Sequence, residues 1–282
     1  MKVSLPGDAS RPPQVRPAAV AGRFYPADAA ALRALVSEML AAVPASGGPA
    51  PKAVIVPHAG YVYSGPVAAS AYARLRPDRA LIRRVVIVGP AHRDSFSGLA
   101  APGWEAFATP LGLVPVDRKA LGCLASMPQV RVRNQAHLAE HSLETQLPFL
   151  QSVLLPGFQI IPLLVGSVSI REVAEVLEQL WGGPETRIVI SSDLSHYHES
   201  DTARRLDAAT ADAIEAGEVD RIAEDGACGR AGIGGLLEAG RRHGLGMRAV
   251  DLRNSGDTAG PRHQVVGYGA FVSGEAAGPP AD

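Results

Sequence analysis

The sequence has almost no net charge and few cysteines. Its 282 residues carry 27 Lys and Arg against 28 Asp and Glu, a formal net charge of −1. Proteins that bind nucleic acid through a basic surface need an excess of positive charge, so this balance argues against a nucleic-acid binder. The two cysteines, Cys123 and Cys228, are too few for a disulfide framework, and a cytoplasmic location is therefore expected.

The sequence also lacks an apolar run suited to export or to spanning a membrane. The first twenty residues carry charges and prolines instead of an apolar signal segment. Residues 145–170 contain no formal charge, but Pro148, Pro156 and Pro162 interrupt them. We therefore predict no membrane association, and we interpret 145–170 as a helix end, a turn and a buried strand.

Hydrophobic residues make up 46% of the chain and charged residues 20%, as in ordinary globular proteins. Short, nearly continuous β-branched runs predict strands that are buried on both faces; they lie at 53–56, 85–88, 159–165, 188–191 and 264–271. Helical spacing lies between or beside them, at 26–43, 171–181, 203–216 and 233–243. This alternation predicts a single-domain α/β protein, a wound sheet with flanking helices, over residues 16–273. The Pro-, Gly- and Ala-rich ends, 1–15 and 274–282, are expected to be flexible.

Three of the predicted strands lead directly into histidines. His58 follows strand 53–56, His92 follows strand 85–88, and His196 follows strand 188–191. In open α/β sheets, ligand sites form outside the carboxyl ends of the strands, so the three imidazoles would converge if the strands are parallel neighbours. Each histidine alone could be a polar loop residue with satisfied hydrogen bonds. Their shared position favours a common site, and imidazole is a ligand for Zn, Cu, Fe and Ni.

Two further residues are candidates for the same chemistry. Cys228 precedes a predicted helix, whose positive N-terminal end would favour the thiolate and make it a nucleophile or a soft metal ligand. It could equally be a small buried residue in a Gly-rich turn. Asp193, three residues before His196, could orient that imidazole or take a proton itself.

A third group has helical spacing. His137, His141 and Glu144 would share one helix face at positions i, i+4 and i+7, either as ligands or as a solvated face. The group lacks the His-Glu-x-x-His order of zinc proteases, and the chain contains neither a phosphate-binding loop nor a Gly-x-Ser-x-Gly nucleophile motif.

Taken in order, several segments resemble the Memo family, whose bacterial and archaeal members are called AmmeMemoRadiSam system protein B. The matching segments are 16–26 (RPAAVAGRFYP), 56–66 (VPHAGYVYSGP), 89–92 (GPAH), 140–148 (EHSLETQLP), 191–196 (SSDLSH), 228–229 (CG), 254–257 (NSGD) and 265–268 (VVGY). Together they span nearly the whole chain.

The resemblance implies a single α/β domain similar to class III extradiol dioxygenases, which use non-haem Fe(II). It implies metal ligands at His58, His92 and Cys228, with Fe(II) expected first and Cu or Zn as alternatives. Asp193 and His196 would then handle protons in the same pocket. The implied substrate-binding residues are Phe24, Tyr61, His141 and Glu144. Ring-opening dioxygenases complete their iron site with a carboxylate, whereas this pattern supplies a cysteine.

The sequence therefore supports two hypotheses. One is a metal-dependent redox enzyme, dioxygenase-like, that acts on a small oxygenated substrate. The other is a non-catalytic protein that binds a ligand or a peptide in the same pocket. The family's system name also implies two partners, an AMMECR-type protein and a radical SAM enzyme.

Overall fold

The computed structural model describes residues 14–45 and 47–275, so most of the two predicted flexible ends lies outside the described residues. The strands are β1 (Val15–Arg16), β2 (Ala53–Val56), β3 (Arg84–Pro90), β4 (Leu99–Ala101), β5 (Ala106–Thr109), β6 (Gly112–Pro115), β7 (Val130–Val132), β8 (Gln159–Val165), β9 (Thr186–Ser191), β10 (His196–His198), β11 (Leu245–Asn254) and β12 (Val265–Glu275). The α-helices are α1 (Ala29–Ala41), α2 (Tyr61–Tyr72), α3 (Arg118–Cys123), α4 (Asn134–Leu138), α5 (Leu147–Val153), α6 (Ile170–Gln179), α7 (Ser200–Ala216) and α8 (Arg230–Arg242).

Within these described ranges, nine strands form the main sheet. Its order is β10-β12-β2-β9-β3-β8-β4-β7, and β11 pairs with β12. The four central strands, β2, β9, β3 and β8, run parallel. β12 is antiparallel to β2, and β4 is antiparallel to β8. A small second sheet has the order β1-β5-β6. The carboxyl ends of the central strands therefore lie side by side at one edge of the sheet.

Burial explains why these segments adopt their conformations. All four residues of β2 and all six of β9 are buried, which is why both read as continuous apolar runs. Helix α8 packs on β9 and β3, and α2 packs on β2 and β12, so the sheet is flanked by helices. Helix α6 begins with a capping box in which Ser169 and Glu172 bond each other's backbone amides.

The predicted strands at 53–56 and 159–165 and the predicted α/β architecture are confirmed, and the other predicted strands and helices occur with shifted ends. Helix α2 escapes prediction because it contains Pro66 and is buried on most of its sides, which removes the one-sided apolar stripe of a surface helix. In the part of the chain that the structure describes, no helix has both the length and the apolar character required to cross a membrane.

Candidate metal centre

Three side chains meet at the carboxyl edge of the parallel strands. His58 follows β2, His92 follows β3, and Cys228 lies two residues before α8. One donor atom from each lies within 4.8 Å of the other two, and Nε2 of His58 is 3.4 Å from Sγ of Cys228. Because β2, β9 and β3 are adjacent and parallel, the predicted convergence is confirmed for His58 and His92. The third predicted imidazole, His196, lies on the edge strand β10 and lines the same cavity without joining the donor group.

The surroundings of His58 leave its Nε2 lone pair free to bind a metal. Nδ1 of His58 lies 2.8 Å from Oγ of Ser191, and that hydroxyl donates its own proton to the carbonyl of Ser142. The hydroxyl oxygen must therefore accept from Nδ1–H, which places the ring proton on Nδ1. Burial lowers the pKa of His58 to about 4, so the ring is neutral at physiological pH.

Glu140 orients His92 in the same way. Its Oε1 lies 2.9 Å from Nδ1 of His92, and its other oxygen accepts from the His92 backbone amide. Burial alone would raise the pKa of Glu140, but hydrogen bonds from His141 and His92 lower it well below its usual value. An ionised carboxylate only accepts, so Nδ1 of His92 carries the proton and Nε2 is left for a metal.

Cys228 is the third donor. Its Sγ accepts from the backbone amide of Asp193 at 3.3 Å. Burial and the negative charge of Asp193 raise the pKa of the thiol to about 12. The predicted preference of the helix N-terminus for the thiolate is therefore outweighed by burial, because the thiol loses its hydration. A bound cation would reverse this balance, since metal coordination deprotonates thiols.

Two neutral imidazoles and a thiol form a donor set that fits a soft or borderline transition metal. A second group, His92, Glu140 and His141, also brings potential ligand atoms together. Its carboxylate already accepts hydrogen bonds from the backbone amides of His92, His141 and Ser142, which leaves it poorly placed to bind a metal as well. The set of His58, His92 and Cys228 is therefore the better candidate.

The two histidines of the donor set line a cavity of about 610 Å³, whereas Cys228 lines a smaller cavity of about 80 Å³. Four predicted site residues line the larger cavity besides the two ligand histidines: Phe24, His141, Asp193 and His196. The ring of His141 stacks on His92 with centroids 4.6 Å apart, and Phe24 packs against His141 at 4.8 Å. The Asp193 carboxylate accepts from the His58 backbone amide at 2.8 Å, so it positions a ligand strand end in addition to facing the cavity.

The structure corrects the predicted roles of Glu144 and Tyr61, neither of which lines the cavity. Glu144 is 0% exposed; its carboxylate pairs with Arg16 and accepts from the Tyr25 hydroxyl and from the amides of residues 19 and 20. Tyr61 is buried and donates its hydroxyl to the Thr145 carbonyl. Both residues hold the chain segments around the site in place and are inaccessible to a substrate.

The predicted helix face of His137, His141 and Glu144 is wrong. Helix α4 ends at Leu138, and a separate 3₁₀ turn begins at Glu144. His137 is buried against β4, where its Nε2 donates to the Ala100 carbonyl, while His141 faces the cavity. A change of backbone direction between residues 138 and 144 separates the three side chains.

Three residues that orient the ligands carry no role in the sequence prediction: Glu140, Ser191 and Gln146. Gln146 donates to Oγ of Ser191 at 2.9 Å and to the Pro57 carbonyl at 3.0 Å, and so links both sides of His58. Their positions in the sequence could have identified two of them, because Glu140 directly precedes His141 and Ser191 ends strand β9. Buried polar residues next to predicted ligands are candidates for orienting them.

An α/β sheet that gathers two oriented imidazoles and a thiol at the carboxyl ends of its parallel strands defines a protein with a candidate transition-metal site. A family model described as Memo-like protein matches residues 16–272. A MEMO1 family protein of Aquifex aeolicus is 34% identical over 268 residues, which cover 90% of this chain and 97% of the relative. A MEMO1 family protein of Aeropyrum pernix is 36% identical over 284 aligned residues, with 91% and 99% covered. The chain belongs to the Memo family.

Proposed function

We propose that this chain is a metal-dependent redox enzyme that holds a transition metal through His58, His92 and Cys228 and acts on a small oxygenated substrate in the adjoining cavity. Fe(II) is the first candidate metal, and Cu and Zn are the alternatives. The observation that carries the proposal is the fixed tautomer of both histidines: Ser191 and Glu140 each hold the ring proton on Nδ1 and leave Nε2 unprotonated, in a group whose donor atoms lie within 4.8 Å of one another. A class III extradiol dioxygenase is the proposed structural and chemical relative.

A metal bound by three protein ligands keeps further coordination positions and would supply Lewis acidity and, for Fe or Cu, electron transfer at the substrate. The chain's own residues supply the rest. Burial keeps His58 neutral, Glu140 and Ser191 fix the ring orientations, and Asp193 holds the backbone of His58.

We assign proton transfer to His196 and Asp193, which both line the cavity. His196 lies on β10 and is partly exposed, so it can exchange protons with solvent and with a substrate. Asp193 is 5% exposed, and its second carboxylate oxygen lies 3.9 Å from Nε2 of His58. Its negative charge would therefore stand beside a bound cation.

Metal analysis of protein purified without air tests the proposal. We expect close to one equivalent of a transition metal in the wild type and less than about a tenth of an equivalent in His58→Ala and Cys228→Ala, because each variant removes one of three ligands. His243→Ala is the matched control, since this imidazole stacks on Trp181 and pairs with Glu178 outside the cavity. A wild type without metal, or variants that keep the wild-type content, would refute the proposal.

The same preparation decides between catalysis and binding alone. A metal-loaded chain that binds a ligand in the cavity but consumes neither that ligand nor O2 would support the non-catalytic alternative. The proposed association with an AMMECR-type protein and a radical SAM enzyme is tested separately, by co-purification of the three tagged proteins.

A further inference from the structure

Aromatic side chains are concentrated at the cavity beside the candidate metal centre. Phe, Tyr and Trp make up only 5% of the chain, yet Phe24, Tyr63, Tyr197 and Tyr268 all line this cavity. Across the described ranges, the exposed aromatic side chains are Tyr63, at 39%, and Tyr197, at 71%. Both stand at the same opening. Exposed rings at one opening form a surface on which a flat apolar group can pack.

Tyr197 is held there in an unfavourable backbone conformation. Its φ is 63°, and among the described residues every other positive φ belongs to a glycine. A bulky side chain in this region is a true outlier, because its Cβ crowds the backbone. Tyr197 lies in β10, whose pairing with β12 has an irregularity between His196 and His198. The Tyr197 side chain lines the cavity at this irregularity. Strain retained at a cavity points to a role in binding.

The same opening carries positive charge. Arg23 and Arg93 line the cavity and are exposed. Within the part of the chain that the structure describes, no carboxylate lies within ion-pair distance of either guanidinium. The acidic residue on the cavity wall, Asp193, is buried and accepts from the His58 amide. The planar fork of arginine matches the oxygens of a carboxylate or a phosphate, so this opening favours an anion.

We propose that the cavity binds a small aromatic anion, with its ring against Tyr197 and Tyr63 and its acidic group on Arg23 and Arg93. This inference rests on the proposed function, because it names the substrate class of the same site. The ring and the charge are recognised at the opening by residues outside the metal-ligand set. Binding therefore also occurs in metal-free protein, and the two proposals can fail separately.

Calorimetric titration of the full chain, both after EDTA treatment and after metal loading, tests the inference with four probes. Benzoate and phenylphosphonate are aromatic anions, benzamide is a neutral aromatic of similar shape, and acetate is an anion without a ring. We expect at least one aromatic anion to bind about tenfold more tightly than benzamide and acetate. The better of the two identifies the acidic group as a carboxylate or a phosphorus oxyanion. Equal affinity for benzoate, phenylphosphonate and benzamide, or no binding of any probe, would overturn the inference.

Substitutions at the opening separate charge from ring recognition. Arg93→Gln and Arg23→Gln should each weaken the preferred anion about tenfold and leave benzamide unchanged, since each removes one charged fork. Arg33→Gln is the matched control, because Arg33 is an exposed arginine on α1 that does not line the cavity. Anion affinities unaltered in both cavity variants would refute the assignment.

Tyr197→Gly gives an independent readout. Glycine adopts a φ of 63° without strain, so the variant should melt about 2 °C higher than the wild type while it binds both aromatic probes several-fold more weakly. Its metal content should equal that of the wild type, because Tyr197 is not a ligand. Wild-type affinity for both probes in Tyr197→Gly would show that the ring takes no part in binding. A variant that melts lower would contradict the strain argument.

Discussion

Glu140→Gln should weaken metal binding and also destabilise the fold. The carboxylate of Glu140 is 2% exposed and holds His92 at two points, the ring Nδ1 and the backbone amide. Its Oε1 also accepts from the amides of His141 and Ser142, at 2.8 and 2.9 Å. A ligand side chain and the turn that follows α4 therefore depend on one ionised group.

The geometry sets the size of the effect. A Gln side chain has one acceptor oxygen, and the less costly orientation keeps that oxygen at the Oε1 position, where it meets three donors. The new NH₂ group then faces the His92 amide, and each buried donor left unpaired costs about 1–3 kcal/mol of stability. Loss of the carboxylate charge behind His92 should reduce metal affinity about 10- to 100-fold, which is about 1.4–2.7 kcal/mol.

Competition of Zn²⁺ or Fe²⁺ between the protein and a fluorescent chelator, under argon, measures the affinity. Urea unfolding in EDTA measures the stability of the metal-free chain. Glu178→Gln is the control, because this carboxylate pairs with His243 away from the cavity. A folded Glu140→Gln protein with wild-type metal affinity would refute the role assigned to Glu140.

Three further predictions concern the frame of the site. Glu144→Gln leaves Arg16 as an uncompensated buried charge and should lower the free energy of unfolding by about 3–5 kcal/mol in urea, with unchanged metal affinity; a loss below about 1 kcal/mol would contradict it. Burial lowers the pKa of His137 to about 4 in the folded chain. Between pH 6.5 and 4 the unfolded chain therefore binds more protons than the folded chain, and the free energy of unfolding decreases as the pH is lowered. His137→Gln should therefore lose about 2–3 kcal/mol less than the wild type between pH 7.5 and 4.5 in urea titrations, and parallel curves would be the contrary result. In Gly229→Ala, the new Cβ would lie 2.6 Å from Cβ of Ser192. We therefore expect about 1–3 kcal/mol of destabilisation and a lower metal content. Wild-type stability together with wild-type metal content would contradict this prediction.

The sequence predicts the central strands well because they are buried on both faces. β2 and β8 have the predicted bounds, since a continuous apolar run ends where the chain reaches the edge of the sheet. The order of the strands is not predictable in this way. β9 lies between β2 and β3 although it follows β3 by nearly a hundred residues along the chain, and only tertiary packing determines that insertion. The position of histidines after strands nevertheless predicts the meeting of His58 and His92.

The roles of the acidic residues are harder to predict. Glu140 and Glu144 are four residues apart in the same short segment, and one holds His92 while the other holds Arg16. The turn after Leu138 decides which carboxylate reaches His92, and no periodic pattern encodes that turn. The thiol of Cys228 shows a similar competition, because its helix position favours the thiolate and its burial opposes it more strongly.

The most direct test of the central claim is a crystal structure of the metal-loaded protein, grown without air and measured on both sides of the metal's absorption edge. The account predicts one anomalous peak bound by Nε2 of His58, Nε2 of His92 and Sγ of Cys228. A peak held by His92, Glu140 and His141, or a metal without sulfur in its coordination sphere, would contradict it.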